Sequence, residues 1–186
     1  MMQDIVILDR DGVINVDLMT YVTNPNEFKP IEGSLEAIAL LNQNGYGVAI
    51  ATNQACIEKK IISEIELEAI HQHMINLLKK VGGNIEHIAY CPHAPESLCG
   101  CRKPKTGLLI EIEQVLGVNL QGKYFVGDKE SDILAGISHG SIPLLIQTGG
   151  YGEKVLETEN CPPSDHCFDN LLKAAEFIIN SKDDCC

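Results

Sequence analysis

Apolar residues along this chain fall into short unbroken runs that alternate with stripes of helical period. Residues 5–8, Ile-Val-Ile-Leu, form the first run and predict a buried strand over 4–8. Comparable runs predict strands at 47–52, 85–90, 123–126 and 143–146. Between them, the spacing of Leu35, Ile38 and Leu41 predicts a helix from Gly33-Ser34 to Gly45. Ser63, with Glu66 three residues on, reads as a capping box for a helix to about residue 81, where Gly82-Gly83 stops it. Helices are also expected over 107–116, 132–138 and 170–180, with a frayed tail at 181–186. The polar segment 16–30 either folds over a ligand or is plain connection. Strands alternating with helices predict an α/β fold, a mostly parallel sheet with helices on both faces. No repeat, low-complexity tract or linker interrupts the pattern, so one domain over 1–186 is expected.

Composition narrows the function. The chain has 186 residues, 45% hydrophobic and 22% charged, enough for a sizeable core. A net charge of −12 argues against nucleic acid as a partner. It leaves room for a small anion, because a metal ion and a few local cations can dominate a site. No apolar run reaches membrane-spanning length and the N-terminus has no export pattern, so a cytoplasmic protein with no membrane partner is expected. Eight cysteines in such a chain point to metal binding or free thiols.

Three expected strands end in polar residues: Asp9 and Asp11, then Thr52-Asn53-Gln54, then Asp128 and Asp132. In a parallel sheet these ends share the edge where ligands bind. Two acids one residue apart can divide labour, one attacking or binding metal and the other handling protons. Arg102-Lys103-Pro104-Lys105 supplies cations. Acids for Mg²⁺, a hydroxyl and amides for an anion, and a nearby cation together fit phosphoryl transfer. Arg102, whose guanidinium can grip an anion bidentately, and Lys129 are further candidate anion contacts.

Cys91-x-His93-x5-Cys99-x-Cys101 offers three thiolates and one imidazole within eleven residues. Zn²⁺ favours this tetrahedral set, which leaves no open position for catalysis. A structural zinc loop over 91–101 is therefore expected beside Arg102 and Lys103. The competing reading is a disulfide with a spare thiol and a surface histidine. Cys161 and Cys167 flank His166 without a comparable cluster and are expected to be free thiols.

The ordered set Asp9-x-Asp11-Gly12, Thr52-Asn53, Lys103 and Gly127-Asp128-x3-Asp132 resembles the haloacid dehalogenase (HAD) superfamily. Asp9-Arg-Asp-Gly-Val-Ile-Asn15, Thr52-Asn-Gln54, Cys91-Pro-His93, Cys99-x-Cys101-Arg-Lys-Pro104 and Gly127-Asp-Lys129 sharpen this. They resemble the D,D-heptose 1,7-bisphosphate phosphatases, with histidinol-phosphate phosphatases as close relatives. The resemblance implies a Rossmann-like three-layer α/β/α HAD fold with no large cap domain. It implies Mg²⁺-dependent removal of the C7 phosphate from a heptose 1,7-bisphosphate, whose product would feed activated-heptose synthesis for lipopolysaccharide or another surface glycan. Asp9 would be the nucleophile that forms an aspartyl-phosphate, and Asp11 the acid and base. The Asp9 side chain, the Asp11 backbone carbonyl and Asp128 would hold Mg²⁺. Thr52 and the Asn53 amide would bind the phosphoryl group, and Lys103 would neutralise it. Asp132 would orient Lys103 or a metal-bound water. Asp17, Tyr21, Gln54, Arg102 and Lys129 complete the expected substrate contacts; for Asp17 and Tyr21 a solvent-facing loop position is the alternative. A small phosphorylated sugar is the expected partner of a monomeric enzyme. Histidinol-phosphate phosphatase is the first rival, and a non-catalytic zinc-loop binding module the second. One stretch departs from the pattern: after Thr-Asn-Gln the heptose phosphatases typically continue Ser-Gly-Ile-Ala-Arg-Gly, where this chain has Ala55-Cys56-Ile57-Glu58-Lys59-Lys60. That bears on the substrate more than on the reaction.

Overall fold

The apolar run at residues 5–8 lies in strand β1 (Asp4–Leu8), and its side chains alternate between two cores. Val6 and Leu8 pack on one face of the sheet, Ile5 and Ile7 on the other. A strand buried on both faces must be continuously apolar, which is why the run shows no polar alternation. The computed structural model describes residues 4–183. The elements after β1 run α1 (Ser34–Gln43), β2 (Tyr46–Asn53), α2 (Glu64–Lys80), β3 (His87–Cys91), α3 (Gly107–Leu116) and β4 (Tyr124–Gly127). They continue α4 (Glu130–His139), β5 (Ile142–Ile146), α5 (Gly152–Val155), β6 (Cys167–Phe168) and α6 (Leu171–Asp183).

The six strands form one parallel sheet in the order β3-β2-β1-β4-β5-β6. Residues of α1, α2 and α6 cover one face, and residues of α3 and α4 the other. This is the Rossmann-like α/β/α arrangement expected, wholly rather than mostly parallel. Chain order reverses at β1, between β2 and β4, so a crevice opens at the C-terminal ends of those strands. No helix among the described residues is long and apolar enough to cross a membrane.

The element boundaries differ from expectation where side chains, not periodicity, set them. Helix α4 opens at Glu130 rather than 132, because the Asp132 carboxylate accepts the Lys129 backbone N–H at 3.1 Å and so caps the turn before it. Residues 181–183 continue α6 instead of fraying, while 184–186 lie outside the described residues. Helix α5 and strand β6 have four and two residues, too few to show a period. The segment 16–30 is more than connection: Val22 and Phe28 are buried in the core and Asn15 bridges to Pro30.

Helix α2 begins as its sequence predicts. Ser63 Oγ accepts from Glu66 N, and the Glu66 carboxylate accepts the Ser63 backbone N–H at 2.7 Å. Leu67, Ile70, His71, Met74 and Leu78 form its buried stripe. Ser63→Ala is expected to lower the unfolding free energy by about 1 kcal/mol, read from the midpoint of a urea titration.

Candidate active site

The turn after β1 is built on one carbonyl. Arg10 O accepts the N–H groups of Val13, Ile14 and Asn15 at 3.3, 2.8 and 3.1 Å. Gly12 makes the turn possible twice over. Its φ is +93°, and an added Cβ would lie 2.2 Å from Asp128 Oδ2. The turn aims Asp9 and Asp11 into a cavity of about 250 Å³, also lined by Thr52, Asn53, Gln54, Arg102, Lys103, Lys129 and Asp132. Asp17 and Tyr21, both half-buried, line it too.

At its floor lies a buried charge cluster. Lys103 Nζ bonds Asp9 Oδ1 at 2.9 Å, Asp132 Oδ1 at 2.7 Å and the Ala51 carbonyl at 2.6 Å. Burial alone would lower the Lys103 pKa, but Asp132 and Asp9 outweigh it and hold the ammonium charged above its ordinary range. The Asn53 side chain fixes Lys103 by its backbone, with Nδ2 donating to the Lys103 carbonyl and Oδ1 accepting its N–H, each at 3.1 Å. Asp132 therefore orients Lys103 and caps α4 with its other oxygen.

Lys129 occupies a second focus. Its Nζ lies 3.0 Å from the Asp11 carbonyl, 3.3 Å from Asp128 Oδ1, 3.8 Å from Asp9 Oδ2 and 3.0 Å from Asp17 Oδ2. Those acids raise its pKa against the opposing effect of burial. An ammonium ringed by oxygens marks a cation position, and the donors are the hard, all-oxygen set that suits Mg²⁺. The far oxygen of Asp128, Oδ2, is buried with no hydrogen-bond partner among the described residues. It sits against Gly12 and Gly149, where an added Cβ on Gly149 would come within 1.7 Å. Burial pushes the Asp128 carboxyl up to about 8, with Lys129 opposing and Asp132 and Asp9 reinforcing.

Asp11 is held differently. Arg10 Nη2 donates to both of its oxygens at 3.0 Å, Asn15 Nδ2 to Oδ1 at 2.9 Å and Gln54 Nε2 to Oδ2 at 2.8 Å. Burial works to raise its pKa, but Arg10 and these donors prevail and keep it below the ordinary carboxylate value. Gln54 Nε2 also donates to Thr52 Oγ1 at 2.9 Å, so one amide positions both groups. Arg10, Asn15 and His71, and the Thr148-Gly149 turn that donates from Thr148 Oγ1 to the Gly12 carbonyl at 2.9 Å, were not singled out from the sequence. The buried-face position of His71 in α2 was the one signal available for it.

Cys91, His93, Cys99 and Cys101 converge beside this cavity. Cys91 Sγ lies 3.2 Å from Cys101 Sγ and 3.8 Å from Cys99 Sγ, and His93 Nδ1 lies 3.5 and 3.3 Å from Cys91 and Cys101. These separations exceed a disulfide bond and approach the edge of a zinc tetrahedron, about 3.8 Å for sulfur ligands at 2.3 Å. All four candidate ligand atoms lie within 4.8 Å of one another. Every described cysteine is a free thiol, including Cys161 and Cys167, so the disulfide reading of this loop does not hold. Burial and the neighbouring thiol of Cys101 push Cys91 up to about 12, so a metal here would displace a thiol proton. Arg102 Nη1 donates to the His93 carbonyl at 3.0 Å, which ties the cavity wall to the cluster.

The folded state keeps the Asp128 proton up to about pH 8, whereas the unfolded chain loses it near 3.8. Between these values the folded state binds more protons, so this group makes stability fall as pH rises. In EDTA, Asp128→Asn is expected to gain stability relative to the unsubstituted protein as pH rises across that window, as measured by urea melts. A difference that does not change with pH would contradict the burial argument.

The comparisons with known proteins agree with this geometry. A HAD-hydrolase-like family model matches residues 100–174. The D-glycero-beta-D-manno-heptose-1,7-bisphosphate 7-phosphatase of Pseudomonas putida is 42% identical over 94% of this chain and 99% of its own length. That of Pseudomonas aeruginosa is 41% identical over 96% and 99%. A crystal structure of D,D-heptose 1,7-bisphosphate phosphatase from B. bronchiseptica, complexed with magnesium and phosphate, superposes with a TM-score of 0.88 at 36% identity, covering 96% of this chain and 99% of that one. The convergent carboxylates, the buried lysine and these likenesses have one reading: the chain is a HAD-type phosphoric monoester hydrolase and belongs to the family of the D-glycero-beta-D-manno-heptose-1,7-bisphosphate 7-phosphatases.

Proposed function

We infer that this enzyme hydrolyses the C7 phosphate of D-glycero-D-manno-heptose 1,7-bisphosphate and releases heptose 1-phosphate. The observation that carries the reading is the meeting of Asp9, Asp11, Thr52, Lys103 and Lys129 in one cavity, with Asp128 against its floor. In this reading an Asp9 oxygen attacks phosphorus, the bond to the sugar oxygen breaks, and an aspartyl-phosphate forms. Asp11 gives its proton to the departing oxygen. Water then attacks the phosphorus, Asp11 takes the water's proton, and phosphate leaves Asp9 free again. Resting Asp11 is held ionised; the negative charge of an arriving phosphate raises its proton affinity, so the substrate itself loads the acid.

Thr52 and the Asn53 amide bind the transferring group, and Lys103 neutralises it while keeping Asp9 in place. Asp9, Asp128 and the Asp11 carbonyl would hold Mg²⁺, which would supply charge compensation between two anions that otherwise repel. Lys129, which stands among these donors, adds a cation beside the phosphate position. Arg102 and Tyr21, on the cavity wall, take the second phosphate and the sugar. Cys91, His93, Cys99 and Cys101 would hold a structural Zn²⁺, which would help keep Arg102 on the cavity wall and Lys103 at its floor.

Asp9→Asn is expected to lower kcat on heptose 1,7-bisphosphate by at least about 10⁴-fold, measured by phosphate release, and retained turnover would sink the nucleophile assignment. In the same assay kcat/KM for the bisphosphate should exceed that for histidinol phosphate at least about tenfold; the reverse order would reassign the substrate. Stripping zinc with a strong chelator should lower Tm by about 10 °C or more and be reversed by adding Zn²⁺. An unchanged melting curve would remove the structural role of the metal.

A further inference from the structure

Arg10 has no access to solvent, yet it carries a permanent charge. A buried guanidinium is tolerated only when its N–H groups find acceptors. Nη2 and Nε of Arg10 are committed to Asp11, at 3.0, 3.0 and 3.3 Å. The remaining nitrogen, Nη1, points the other way and meets Nε2 of His71 at 3.2 Å. His71 lies on α2, 61 residues along the chain, and is itself buried. Its ring edge packs on Tyr90, with centroids 6.1 Å apart. His71 does not line the cavity.

We propose that His71 is a positioning residue for this reaction: its neutral ring nitrogen accepts the outward N–H of Arg10, and Arg10 thereby holds the Asp11 carboxylate on both oxygens. The inference rests on the reading of Asp11 as the proton donor and acceptor. A neutral acceptor is what this place requires. A carboxylate at 71 would compete with Asp11 for the guanidinium charge and draw it off. An aliphatic side chain would leave a buried N–H unsatisfied, and Arg10 would turn to seek another partner. The imidazole satisfies the N–H and leaves the whole charge facing Asp11. For Nε2 to accept, the ring proton must be on Nδ1. Burial, with Arg10 adding to it, pushes the His71 pKa down to about 3, so the ring stays neutral at working pH. The capping box and apolar stripe of α2 fix the imidazole from behind.

The test compares the Mg²⁺-loaded enzyme with His71→Leu, His71→Gln and Asp11→Asn. Leucine keeps the bulk and loses the acceptor; glutamine restores an acceptor oxygen. On heptose 1,7-bisphosphate, His71→Leu should lower kcat about 10–100-fold with KM within about twofold, and His71→Gln should recover to within about threefold of the parent. The pre-steady-state burst of p-nitrophenyl phosphate, whose leaving group departs without a proton, should change by less than about threefold in His71→Leu. An unchanged kcat in His71→Leu, a glutamine variant as slow as the leucine one, or an equally slowed burst would overturn the proposal. Asp11→Asn separates the two readings. If it keeps its kcat, the role of Asp11 fails; if it is inactive while His71→Leu is normal, only the role of His71 fails. Should His71→Leu not fold, ¹⁵N NMR of the parent enzyme decides: an Nδ1–H tautomer supports the proposal and an Nε2–H tautomer overturns it.

Discussion

The buried ammonium of Lys103 is the constraint on which the rest of the site depends. Asp9 and Asp132 face it from opposite elements, one from the turn after β1 and the other from the first turn of α4. Without a cation between them, two carboxylates this deeply buried would repel, and one would take up a proton. The same ammonium is bonded to the Ala51 carbonyl in β2, so three adjacent strands are registered on one charge. At position 103 the backbone is gripped by the Asn53 side chain, and the cysteine cluster ends two residues before it.

Much of this was legible in the sequence because it sits at strand ends. Asp9, Asp11, Thr52, Asp128 and Asp132 follow apolar runs, and parallel topology brings such ends together without further information. Asp132 was legible as the partner of Lys103, but not as the cap that starts α4 at Glu130. The residues that escaped do not stand at strand ends as polar signals. Arg10 reads as a loop cation between two acids, and nothing local says that its charge is buried. His71 falls on an apolar helical stripe, where a histidine is usually a core residue. The Thr148-Gly149 turn follows β5, and its tight approach to Asp128 is set by the neighbouring strand. Each of these contacts joins residues that only tertiary packing brings together.

The two cation positions divide the acids unequally. Lys103 is fully paired and immobile, touching Asp9, Asp132 and a carbonyl. Lys129 is partly exposed, packs over the Tyr151 ring at 5.1 Å and shares four oxygens with no close grip on Asp9. The first position is held by contacts of 2.6, 2.7 and 2.9 Å; at the second the nearest oxygens lie at 3.0 Å and the ammonium is partly exposed. The orphaned Asp128 Oδ2, cushioned by Gly12 and Gly149, belongs with the second.

The departure at residues 55–60 has a physical account once the backbone is known. The last residue of this segment, where the resembled pattern has glycine, is Lys60, with φ 55°. The left-handed turn is therefore kept with a side chain on it, at a cost of about 1 kcal/mol relative to glycine. Where the pattern has its first glycine, Cys56 is wholly buried and its thiol donates to Gln54 Oε1 at 3.6 Å, backing the amide that serves Asp11 and Thr52. Glu58 accepts from Ala94 N and from Ser97 Oγ, which staples the segment onto the cysteine loop, and Lys59 lies over the Tyr21 ring at 5.7 Å. The replaced residues thus keep the turn, support the floor and join both walls of the cavity. What they alter is the chemistry of the rim. A lysine ammonium over the Tyr21 ring is a flexible point charge where the pattern has the rigid fork of an arginine. Arg102, on the cavity wall, is held by the His93 carbonyl and so by the integrity of the cysteine cluster.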